Sequence, residues 1–185
     1  MQVRAVVLVE GDSDRAAIET LASRRRRDLA AEGIEVVAMG GARSIRRFLE
    51  RYGPHGLDLR VAGLYDEQEE GDFRRGLERA GLGTNLGRAQ MESLGFGVCI
   101  ADLEDELIRS LGVARVQEVI DAEGDLSSFR ILQQQPAQQG RTTEQQLRRF
   151  MGTRSGRKIR YGHLLVEALD LDRVPRPLDL VLASV

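Results

Sequence analysis

A chain of 185 residues, 42% hydrophobic and 30% charged, is long enough to bury one core and falls where a single domain is the default. Its 27 basic and 29 acidic residues nearly balance, which excludes a globally positive nucleic-acid binder and leaves local basic patches as the route to such a partner. One cysteine, Cys99, excludes a disulfide framework and a cysteine zinc site and suits a reducing cytoplasm, where the chain is expected.

The first apolar stretch, 3–9, is rich in β-branched residues and runs straight into Glu10. It is too short for a signal peptide or a membrane span, so no membrane association is expected, and it reads as a buried strand. Gly-Asp-Ser-Asp at 11–14 supplies turn and N-cap chemistry for a helix that the pattern carries to near Gly33. Late in that helix the four arginines at 24–27 read as a solvated face near the C-terminus. The same grammar repeats in a strand at 34–39, a Gly40-Gly41 turn, a helix at 44–52 and a strand at 59–65 ending in Asp66. A helix-like stretch at 73–80 leads into the glycine-rich segment 81–87. That segment imitates a dinucleotide-binding loop but lacks the preceding strand such a loop needs, so it reads as a flexible loop. The fourth strand is 96–101. Strands alternating with helices at this spacing indicate right-handed crossovers, hence an α/β fold with a mainly parallel four-stranded sheet flanked by helices, whose ligands sit at the carboxyl ends of the strands. Beyond Gly112 the pattern turns helical, at 113–122, 143–151 and 161–169, with a Gln-rich loop at 133–140 and two prolines within 174–178 before a last apolar segment. The expected division is an α/β domain over 1–112 and a helical C-terminal extension over 113–185 packed on it.

Acids fall at three of the four strand ends: Glu10 with Asp14, Asp66 with Glu67, Glu69 and Glu70, and Asp102 with Glu104 and Asp105. Singly, these have structural readings: Asp12, Asp14 and Asp102 as helix caps, 67–70 as a solvated loop. Glu10 is the exception, because a carboxylate directly after a central apolar strand has few structural uses. Together they form one edge, and like charges about 4 Å apart repel by several kcal/mol at an intermediate dielectric. A hard divalent cation such as Mg²⁺ removes that cost and can activate water for phosphodiester cleavage.

The stretch Val7-Leu8-Val9-Glu10-Gly11-Asp12-Ser13-Asp14 resembles the first Toprim motif, a strand followed by Glu-Gly and an acid four residues beyond the Glu. The resemblance continues in Gly40-Gly41-Ala42-Arg43-Ser44-Ile45 with Phe48-Leu49 and in Gly63-Leu64-Tyr65-Asp66. It ends in Asp102-Leu103-Glu104-Asp105-Glu106-Leu107, which is similar to a stretch of the Toprim domains of the OLD (overcoming lysogenisation defect) family nucleases. These motifs lie in the right order over about residues 3–112. The resemblance implies a Rossmann-like Toprim fold and a Mg²⁺- or Mn²⁺-dependent DNA nuclease or nickase. It implies Glu10, Asp14, Asp66 and Glu104 as metal ligands, with Glu10, Asp66 and Lys158, the only lysine, as catalytic groups. Gln68 departs from the pattern, standing where the family has the second acid of Asp-x-Asp, so one metal position is either weak or served by Glu67, Glu69 or Glu70.

Arg154, Arg157 and Arg160, with Arg148 and Arg149 nearby, are the candidate DNA contacts, reading phosphates rather than bases. There is no Gly-x-x-x-x-Gly-Lys-Ser/Thr, so any ATP dependence would need a separate ATPase chain, and the sequence leaves monomer and homodimer open. The two histidines, His55 and His163, have no nucleophile or metal spacing around them. Two readings compete with the nuclease: a catalytically degenerate metal- or DNA-binding Toprim module, which Gln68 motivates, and another Toprim nucleotidyl transferase of the primase kind.

Overall fold

A computed structural model describes residues 2–154 and 156–185. The apolar run Ala5–Val9 forms strand β1 and is buried at every residue. A strand apolar on both sides needs neighbours on both edges and cover on both faces. β2 (Ile34–Ala38) and β3 (Arg60–Asp66) pair with it in parallel, and β4 (Phe96–Cys99) pairs with β3, giving the order β2-β1-β3-β4. The register sets Val9 beside Ala38 and Asp66 beside Cys99, so the carboxyl ends line up along one edge. The α/β fold expected from the sequence is the fold observed.

Side chains alternate across the sheet, and the two faces carry separate cores. Val6, Leu8, Tyr65, Phe96 and Val98 meet Ile45 and Leu49 of α2 (Ile45–Tyr52), Phe73 and Leu77 of α3 (Glu70–Arg79) and Met91 of α4 (Arg88–Ser93). Ala5, Val7 and Val9 face the other way, into the core built on α1 (Asp12–Arg24), α5 (Leu103–Leu111) and α6 (Val113–Ala122). α7 (Leu126–Gln133), α8 (Thr143–Met151), α9 (Arg157–Ala168) and α10 (Arg176–Ala183) contribute buried residues to that same core. Among the described residues no helix is long and apolar enough to cross a membrane.

Several elements differ from the sequence reading. α1 stops at Arg24, not near Gly33, and Arg26 takes a left-handed backbone with φ 57°. The arginine run is therefore not a solvated helix face. Arg24 donates to the carbonyls of Val166 and Leu169 at the end of α9 (2.8 and 2.7 Å), and Arg27 donates to those of Leu182 and Val185 at the end of α10 (2.5 and 3.0 Å). Guanidinium donors thus satisfy carbonyls that a helix C-terminus leaves unpaired. α7 was not expected, and α9 begins four residues before the predicted 161.

α9 lies hard against the start of α1. At Gly162 a Cβ would come within 2.9 Å of the Ser13 carbonyl oxygen, a distance no side chain tolerates. Thr20 and His163 share a hydrogen bond of 2.8 Å across the same contact. Residue 158 stands one turn before residue 162 on the same face, so this close approach aims Lys158 at the carboxyl edge of the sheet.

Candidate active site

The carboxyl edge gathers acids from three strand ends. Glu10 follows β1, and its carbonyl accepts from the amides of Gly40 and Gly41 at 3.0 and 3.2 Å, which ties the loop after β2 to the end of β1. Both glycines have positive φ, 73° and 118°, a backbone that side chains rarely adopt. Asp14 lies in the first turn of α1 and accepts from the Gly11 amide at 3.0 Å, closing the helix start. Asp102 caps α5 by accepting from the Asp105 amide at 2.9 Å, and its other oxygen takes Arg148 Nε at 2.5 Å.

After Asp66 the chain makes a 3₁₀ turn, Glu67–Glu69. Three residues per turn bring positions 66 and 69 over one another. Arg88 of α4 holds Glu67 and Glu70 at 2.8 and 2.7 Å, drawing them to the outside. Glu69 turns inward, and Glu10, Asp66 and Glu69 each place a carboxylate oxygen within 4.8 Å of the other two. Gln68 is exposed. Of Glu67, Glu69 and Glu70, left open for the acid that the sequence lacks at 68, it is Glu69 that lies with Glu10 and Asp66, and its i, i+3 spacing from the strand end is the signal that could have singled it out.

The electrostatics record the crowding. Burial, with Glu10, Asp102 and Asp14 adding to it, pushes Asp66 up to about 7. Burial and the neighbouring Glu10 push Glu69 up to about 7 as well, and one of its oxygens is buried with no partner. Asp14 is raised by burial against the opposing pull of the Gly11 amide and Lys158.

Glu104, in the first turn of α5, is only 2% exposed and is pushed up to about 7 by burial, which outweighs Lys158. Lys158 Nζ lies 3.1 Å from Glu104 Oε2, within ion-pair reach although no hydrogen bond is aligned on either Glu104 oxygen. Burial alone would lower Lys158; Glu104, Asp14 and Asp102 reverse that and hold the ammonium charged.

Two adjoining clefts share Asp102 and Lys158. One, of about 350 Å³, is lined by Glu10, Asp14, Asp66 and Arg154 as well. The other, of about 640 Å³, adds Glu104, Arg141, Arg148 and Arg149. Of the four expected ligands, Glu10 and Asp66 fall in the tight oxygen cluster, Asp14 borders the same cleft, and Glu104 lies in the neighbouring cleft beside Lys158.

The expected DNA contacts separate. Arg154 borders the acidic cleft. Arg157 is 8% exposed, its guanidinium 4.0 Å above the Phe150 ring and hydrogen-bonded to Thr153 at 2.8 Å, with Asp125 at 3.5 Å. Arg160 pairs with Glu123 and, at 3.8 Å, with Asp125. Among the described residues, no carboxylate lies within ion-pair distance of Arg141, Arg149 or Arg154.

Comparison with known proteins agrees with this fold. Residues 3–67 match the family described as overcoming lysogenization defect protein-like, TOPRIM domain. No curated protein matches the sequence. In fold the chain is similar to the C-terminal region of the Burkholderia pseudomallei OLD protein, with a TM-score of 0.77, 20% identity and coverage of 100% of this chain and 97% of that one. It is also similar to the C-terminal region of the Xanthomonas campestris pv. campestris OLD protein, with a TM-score of 0.74, 24% identity and coverage of 98% and 94%. A second structure of that Xanthomonas region gives 0.74 at 25% identity, over 98% and 91%.

Proposed function

We propose that this chain, an OLD-like Toprim protein, is a nuclease that hydrolyses DNA phosphodiester bonds with Mg²⁺ or Mn²⁺ held by Glu10, Asp66 and Glu69. The observation that carries this reading is the convergence of three carboxylate oxygens within 4.8 Å at the carboxyl edge of the sheet. The residues fit such an ion: every donor is a hard oxygen, and one oxygen of Glu69 is buried without a partner. Bound there, a hard divalent cation supplies Lewis-acid activation of water and neutralises charge on the phosphodiester.

The chain's own groups do the rest. Glu10 and Asp66 sit at the ends of neighbouring strands whose register fixes their separation, so little reorganisation accompanies the reaction. Lys158, steadied by Glu104, offers its ammonium to the scissile phosphate, and Asp14 and Asp102 border the same cleft. Arg141, Arg148, Arg149 and Arg154 take the phosphates on either side. In this reading 1–112 supplies the carboxylates and 113–185 supplies the cations. The degenerate-module alternative rests on Gln68; the carboxylate of Glu69 beside those of Glu10 and Asp66 favours the active reading over it.

Plasmid nicking tests the proposal. Supercoiled DNA should relax with Mn²⁺ or Mg²⁺ and stay intact in EDTA. Glu10→Gln should abolish nicking yet leave the metal-free protein as stable as wild type or about 1 kcal/mol more so, because a like charge has gone. It should also lose the rise in melting temperature that metal gives, since that rise follows affinity for the fold. A wild type that nicks equally in EDTA, or a Glu10→Gln protein that melts early and keeps its full metal-induced shift, overturns the assignment.

A further inference from the structure

The proposed site has arginines on the α8–α9 side; the opposite side of the sheet carries a second set. Arg43 lies in the 3₁₀ turn Ala42–Ser44, two residues beyond the Gly41 whose amide bonds the Glu10 carbonyl. Arg47 and Arg51 follow at intervals of four residues, so the three form one stripe along the outside of α2, and all three are exposed. Among the described residues none has a carboxylate within ion-pair distance, whereas Arg46, on the next strip, is paired with Glu50 at 2.7 Å. Arg47 and Arg51 lie 5.0 Å over the rings of Phe48 and Tyr52, which hold the guanidiniums against the helix without neutralising them. Above Gly40 and Gly41 the space is open, with nothing within 4 Å of a Cβ built at either, so a backbone can pass from the acidic edge to the stripe.

α2 covers the sheet face of Val6 and Leu8, while α8 and α9 belong to the core on the other face. The acids at the carboxyl edge therefore lie between two cationic banks, one from each layer. A single strand threaded through the clefts needs one bank only; a duplex presents a backbone on each side of its grooves, about 6 and 12 Å wide. Eight residues of helix span about 12 Å, which matches three to four phosphates of one strand at about 3.4 Å of axis each.

Resting on the nuclease reading, we infer that the stripe Arg43, Arg47 and Arg51 holds the uncut strand of a double-stranded substrate while the α8–α9 bank holds the strand being cut. The test is equilibrium binding of a short duplex, and of either strand alone, over a range of NaCl concentrations, by wild type, the triple Arg→Ala variant and the triple Arg→Lys variant. For the duplex, the Ala variant should lower the slope of log affinity against log salt by about 2.7, at about 0.9 per lost phosphate contact, and the Lys variant should keep it. Single-strand affinity should not change. If the triple variant melts early, Arg43→Glu, at a residue touching no aromatic ring, carries the same comparison. An unchanged duplex slope, or an equal loss for duplex and single strand, overturns the inference. A wild type that binds duplex but cuts nothing removes the nuclease reading and leaves the stripe standing; one that binds neither form removes both.

Discussion

The four consecutive positions 66–69 show how much turns on where one side chain points. Asp66 and Glu69 are superposed by a 3₁₀ turn, Glu67 is held outside by Arg88, and Gln68 faces solvent. From sequence alone, Gln68→Asp would restore the family's second acid and strengthen metal binding. With Gln68 exposed, that change should leave Mn²⁺ affinity unaltered, while Glu69→Gln should weaken it by tenfold or more, roughly the 1.4 kcal/mol that a tenfold change represents. Titration calorimetry of both variants checks the pair, and tighter binding by Gln68→Asp would place the acid of that position in the site after all. Glu10, Asp14 and Asp66 were legible because an acid directly after an apolar strand, or one turn on, is costly to explain otherwise. Glu69 was not singled out, since spacing along a strand has period two and only the turn makes it period three. Arg157 was misread for a related reason: its seat on the Phe150 ring depends on α8 and α9 meeting, and a lone arginine in a basic run carries no trace of that.

At the scale of elements, the strands were readable to within a residue or two because each is an apolar run ended by glycine or acid. The helix limits were less so. Alanine, leucine and arginine are strong helix formers, which extended α1 through the arginine run in the sequence reading, but the fold uses Arg24 and Arg27 to close two other helices instead. α7 escaped notice because its apolar face is only two buried residues, Phe129 and Leu132, while Ile131 between them is 63% exposed and blurs the period. The capping arginines give a prediction. Arg27→Ala removes donors from Leu182 and Val185 at the end of α10 and leaves those carbonyls half-buried, so it should cost about 1–3 kcal/mol in urea unfolding. Hydrogen exchange should rise first in Arg176–Ala183. Exchange that rises evenly over the chain would show that Arg27 does not act through α10.

For the whole molecule, the crowded edge sets a pH dependence. Asp66 and Glu69 stand at about 7 through burial and then the neighbouring charge of Glu10, as does Glu104 through burial, against ordinary values of 3.8 for Asp and 4.5 for Glu. A carboxyl raised in the fold binds a proton that the unfolded chain releases, so stability falls as pH rises through the window between the two values. Glu32, lowered by its hydrogen bond to Arg27, works in the opposite sense, but it is a single, half-buried group against three raised ones. In EDTA the melting temperature should therefore drop from about pH 5 to about pH 7.5, and saturating Mn²⁺ should flatten or reverse the trend by taking the place of the protons. A metal-free protein that gains stability over that range would mean the acids are balanced by partners within the chain.

Lys158 brings a practical consequence. It is the only lysine in the sequence, and half of its side chain is reachable from solvent although its ammonium lies beside Glu104. Reductive methylation with isotope-labelled formaldehyde would therefore mark a single side-chain amine, keep its charge, and put one resonance inside the cleft. That signal would report metal and phosphate arriving in real time, without a mutation or a fluorophore.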